Sequence, residues 1–112
     1  MGPVNGVREW GDAMPKAYWI AQVSVDDPDA YEAYRAANAA AFAKYGARFL
    51  VRGAEPDLRE GEMRPRLVVI EFADLDTARA CYDSPEYQAA LRLRQPCSTA
   101  DLAIVPGYDP EK

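Results

Sequence analysis

Between Asp27 and Gly53 the chain reads DPDAYEAYRAANAAAFAKYGARFLVRG, a helix with both ends marked and a strand directly after it. Asp27 can cap the helix because its carboxylate accepts an orphan N–H, and Pro28 has no N–H to lose at the first helical position. Asp29 and Glu32 near the start and Lys44 near the end match the helix dipole, and Gly46 supplies the stop. Tyr31, Tyr34, Phe42 and Tyr45 share one face at about 100° per residue, so the helix carries an aromatic stripe that needs a sheet beneath it.

Asn38 sits in the middle of that stripe, four residues from both Tyr34 and Phe42. A buried amide without a partner costs roughly 1–3 kcal/mol. Two readings stand: a structural hydrogen bond to a tyrosine or the backbone, or an amide presented to a bound ligand.

The remaining elements follow from alternation and caps. Ala17 to Val25 alternates as a strand, with Trp19, Ala21, Val23 and Val25 opposite Tyr18, Ile20, Gln22 and Ser24. Ala47 to Arg52 is a second strand ended by Gly53, with Phe49 and Val51 on one face and Arg48, Leu50 and Arg52 on the other. A charged connection rich in proline and glycine leads to a third strand, Arg66 to Phe72. Asp74 caps a short helix through Tyr82, and Ser84 with Pro85 restarts a second through Arg94. Tyr87, Ala90, Leu91 and Arg94 fall in phase on its inner side, and Ala100 to Val105 is the last strand.

Strand, helix, strand, strand, helix, strand is the split βαβ order of an α+β, ferredoxin-like fold with a four-stranded antiparallel sheet. Both helices cover one face. The other holds Ile20, Leu50, Leu67, Val69, Ala103 and Val105, which predicts a second copy packed against it as a homodimer, a dimeric α+β barrel. Residues 1–13 lack periodicity and form an N-terminal extension or tag, leaving 14–112 as the single domain.

Composition narrows the function. There is no histidine, which removes imidazole acid–base work, histidine-ligated haem or zinc, and histidine-activated nucleophiles. A net charge of −5 argues against a nucleic-acid partner, and no apolar run approaches the ~18 residues of a membrane span. Cys81 and Cys97 have no metal-ligand spacing, and no secretory signal precedes them, so a reduced, cytoplasmic protein without metal or cofactor is expected.

On the open face the alternation places Tyr18, Gln22, Ser24, Arg48, Arg52, Glu71 and Asp101. Arg52 and Glu71 would then be neighbours on adjacent strands. They form either a buried ion pair or a catalytic pair, with Arg52 holding an anionic oxygen and Glu71 accepting a proton. Tyr18, Tyr82 and Tyr87, with Asn38, are the candidate substrate-binding groups.

The segments AYWIAQVSVDDPDAYEAYRAANAAAFAKYGARFLVRG, RLVVIEF, CYDSPEYQAALRLRQ and ADLAIVPGYD resemble the bacterial domain-of-unknown-function 1330 family over roughly residues 15–110. The resemblance implies a dimeric α+β barrel, in agreement with the strand order, although Ala54 stands where related sequences often carry a second glycine. The wider fold group includes cofactor-free monooxygenases, lactone isomerases, haem-degrading enzymes and ligand-sensing domains, and fold alone does not choose among them. The expected function is therefore either a cofactor-independent enzyme of isomerase or monooxygenase type, acting on a small metabolite, or a non-catalytic binding or structural module.

Overall fold

The computed structural model describes residues 15–109, so the N-terminal extension expected over residues 1–13 lies outside the described residues. The elements are β1 (Ala17–Val25), α1 (Pro28–Lys44), β2 (Arg48–Ala54), β3 (Arg66–Phe72), α2 (Leu75–Asp83), α3 (Pro85–Arg94), a 3-10 turn (Gln95–Cys97) and β4 (Ser98–Pro106). The strands form one antiparallel sheet in the order β2-β3-β1-β4, the ferredoxin-like α+β arrangement. Each long helix starts where its cap chemistry placed it. Asp27 accepts from the Ala30 N–H, Asp74 from Thr77 and Ser84 from Tyr87.

The core lies between the helices and one sheet face. Trp19, only 1% exposed, meets Phe42, Phe72, Tyr82 and Tyr87 at ring separations of 4.9–5.6 Å, and its indole N–H donates to the Ala78 carbonyl at 2.9 Å. A buried indole needs that acceptor, so α2 is tied to β1 by a hydrogen bond as well as by packing. Cys81 and Cys97 are buried small fillers, and burial pushes the Cys81 thiol up to about 12.

One expectation fails, and it moves the centre of interest to the other side of the sheet. The β2 strand does not alternate cleanly. Phe49 pairs with Ile70, but Val51 pairs with Val69, so Leu50 is an extra residue bulged out of the ladder. The insertion reverses the alternation: Val51 joins the open face, and Arg52, opposite Val68, joins the face covered by the helices. Gly53 also does not end the strand. It is a second irregularity inside β2 at φ +98°, a conformation that glycine adopts without strain.

Candidate functional site

The α1 stripe supplies the roof of a narrow cleft, with Tyr31, Tyr34, Asn38 and Phe42 all pointing at the sheet. The floor is built by Phe49 and Arg52 of β2 and by Arg66, Val68 and Ile70 of β3. The enclosed space is about 30 Å³. A water needs roughly 10–15 Å³ by that measure, so a small polar group fits here.

Asn38 is 7% exposed and lines this cleft, yet its side-chain amide has no hydrogen-bond partner among the described residues. The structural reading required such a partner. Nor is the amide sealed in, because no Asn38 atom is among the fully buried unsatisfied ones. It faces the cleft with its hydrogen-bonding capacity unspent.

Arg66 lies over the backbone at Gly53, so closely that a Cβ there would overlap its Nη1. Its Nε–H donates to the Tyr31 hydroxyl at 3.3 Å, and its guanidinium sits 5.2 Å from the Tyr31 ring centre. Arg52, turned to this face by the Leu50 bulge, stacks on Phe49 at 4.3 Å. At the mouth, Arg35 is paired with Glu32 at 2.8 Å.

On the far side of Tyr31 and Tyr34 lies a second space of about 30 Å³, walled by Trp19, Ala21 and Val23 and closed by Arg94. Arg94 is 7% exposed, with its guanidinium 5.4 Å from the Tyr34 ring, and the Tyr34 and Tyr87 hydroxyls are 2.8 Å apart. Burial raises the pKa of both Tyr31 and Tyr87, so these phenols stay neutral and bring no negative charge. Among the described residues no carboxylate lies within 4.0 Å of Arg52, Arg66 or Arg94. That is a concentration of unmatched positive charge in a chain of net charge −5.

The open face is different. Tyr18 donates to Glu71 at 3.1 Å, and Arg48, not Arg52, is the cation beside that carboxylate, at 3.6 Å. The expected Arg52–Glu71 pair is therefore not formed, because the bulge puts the two side chains on opposite faces of the sheet. Burial, followed by the bond to Glu71, raises the Tyr18 pKa. Nearby, the Arg64 N–H donates to Gln22 at 3.0 Å, and its guanidinium reaches Asp101 at 2.8 Å and Ser24 at 3.3 Å.

Of the residues singled out in the sequence, Asn38 and Arg52 therefore meet in the cleft. Tyr87 holds a cleft wall in place through Tyr34, and Tyr82 packs against Trp19 and Tyr87 in the core. Tyr18 and Glu71 lie on the other face. Sequence reasoning missed Arg66. It opens β3 with no periodic signal of its own, and only a glycine inside the facing strand hints that something packs close to the backbone there.

The model of the family described as Domain of unknown function (DUF1330) matches residues 16–108. Among solved structures, a protein of unknown function from Rhodopseudomonas palustris superposes with a TM-score of 0.68 at 18% identity, over 87% of this chain and 85% of that one. SnoaB, a cofactor-independent oxygenase from Streptomyces nogalater, gives 0.59 at 19% identity over 85% and 95%. A dimeric ferredoxin-like protein of unknown function from Thermobifida fusca gives 0.59 at 24% over 84% and 92%. No curated protein matches the chain. Among the described residues no helix is long and apolar enough to cross a membrane.

Proposed function

The chain belongs to the domain-of-unknown-function 1330 family, and from that premise we propose that it is a homodimeric, cofactor-independent enzyme acting on a small metabolite in the cleft beneath α1. The observation that carries this reading is Asn38, more than nine-tenths buried, without a hydrogen-bond partner among the described residues, and facing the cleft. An amide held there without a protein partner is satisfied by water alone in the free protein, and so is available to a ligand that displaces it. The guanidinium groups of Arg52 and Arg66 beside it are donors suited to an oxygen that gains negative charge during reaction.

Isomerisation through an enolate, or reaction of such an anion with oxygen, both need that stabilisation. Among the described residues no carboxylate lines the cleft, so a substrate acidic enough to ionise readily suits the site best. Glu71, bonded to Tyr18 and Arg48 on the far face, acts as a structural group and not as the proton acceptor. The fold shared with a cofactor-independent oxygenase supports the reading by analogy.

The homodimer is supported by Ile20 and Leu50, which are 39% and 45% exposed on or beside the open face, and by the dimeric relative of the same fold. The protein works in the cytoplasm, without a membrane or nucleic-acid partner.

That none of the described residues lining the cleft is a carboxylate favours one second reading, a module that binds its ligand without turning it over. One experiment separates them. The protein is dialysed against a metabolite extract, and what it retains is identified by mass spectrometry. A compound retained by the wild type and lost in Asn38→Leu supports the site, and its return as an isomer or oxygenated product identifies an enzyme. Recovery unchanged identifies a binding module, and retention of nothing overturns both.

A further inference from the structure

The cleft has a charge as well as a shape. Arg52 and Arg66 come from neighbouring strands and face the same 30 Å³ space, with Asn38 above them, and no carboxylate of the described residues neutralises either guanidinium. Most of the other described arginines are matched. Arg35, Arg48, Arg59, Arg64 and Arg79 each have a carboxylate within 4.0 Å. Apart from the exposed Arg92, the described arginines that lack a carboxylate thus gather at the cleft and its neighbour, in a chain rich in acidic side chains.

From this we propose that the cleft binds its ligand through a carboxylate group, held by Arg52 and Arg66 with the Asn38 amide as a third donor. The inference rests on the cleft being the ligand site and adds the chemical class of what enters it. Three features favour a carboxylate. A guanidinium offers two parallel N–H donors that match its two oxygens. The Arg66 Nε–H is already committed to Tyr31, which leaves its Nη donors for the ligand. The space is the size of a head group, so the body of a larger ligand extends out of the cleft. The positive φ of Gly53 and its missing side chain are what let Arg66 lie flat against β2, so the donor pair is built into the backbone.

The test is a titration of the full chain with benzoate, its neutral isostere benzamide, and inorganic phosphate, followed by 15N NMR at the Arg66 Nε–H and the Asn38 side-chain amide. Saturable shifts of both signals with benzoate, absent with benzamide, are expected. Arg52→Gln and Arg66→Gln should each weaken binding by roughly tenfold. Arg48→Gln on the open face should leave it unchanged. Equal response to benzamide would overturn the carboxylate while leaving the cleft a ligand site. A response to phosphate but not to benzoate would also overturn it, in favour of a phosphorylated ligand. Silence to all three, or benzoate binding that survives in the Arg52→Gln/Arg66→Gln double variant, would remove the clamp altogether, whatever the metabolite retention shows.

Discussion

The two sides of the sheet both carry polar groups and use them in opposite ways. On the open face every charge named above is matched: Glu71 takes a proton donor from Tyr18 and a cation from Arg48, and Arg64 gathers Asp101, Gln22 and Ser24. On the helix side, among the described residues, the buried Asn38 has no partner, and the buried Arg94, the half-buried Arg66 and the exposed Arg52 have no carboxylate. A network closed on itself needs nothing more. One left open in a buried place is where an incoming group does most, because low dielectric strengthens each bond that it completes.

The comparison is most easily broken on β1, where adjacent residues serve opposite faces. Trp19→Ala removes the centre of the aromatic core and should destabilise the protein by about 3–5 kcal/mol in chemical denaturation. Ile20→Asp, one residue along, should leave the fold intact and turn a dimer into a monomer in light scattering. A wild-type monomer at micromolar concentration would sink the claim that the open face is an interface.

The core should also report itself in alkali. The Cys81 thiol ionises near 9.0 when unfolded and about 12 when folded, a raised value. Its contribution is fully present below pH 9.0 and is lost as pH rises toward 12, since the unfolded chain ionises first. Stability should fall over that window by up to ~1.4 kcal/mol per pH unit, with a shallower slope in Cys81→Ala.

Smaller effects sharpen the contrast between the networks. Tyr34→Phe leaves the Tyr87 hydroxyl without its 2.8 Å partner and should cost about 1–2 kcal/mol, much of it recovered when Tyr87→Phe is added. On the open face, Glu71→Gln should cost less than ~1 kcal/mol, because Arg48 is 74% exposed and its ion pair is screened by solvent.

Much of this is legible in the sequence. Asp27–Pro28, Gly46, Asp74 and Ser84–Pro85 are local signals with local causes, so helix ends and element order followed directly. Asn38 stood out because a polar residue in an aromatic stripe breaks the period. What misled was β2, where one inserted residue, Leu50, reversed the face of everything after it and moved Arg52 away from Glu71. A bulge is decided by pairing with β3 far along the chain, and no window of β2 alone reveals it. Gly53 is its trace in the sequence, a glycine whose local pattern marks a stop although it lies inside the strand.

The central claim, that Asn38 is kept for a ligand and not for the fold, is tested most directly by the unfolding free energy of Asn38→Leu. Replacing an unpartnered buried amide by an apolar side chain should raise stability by about 1 kcal/mol while abolishing ligand retention, the exchange of stability for function expected at a site. A loss of about 1 kcal/mol or more would mean that the amide has a structural partner in solution and would contradict the account.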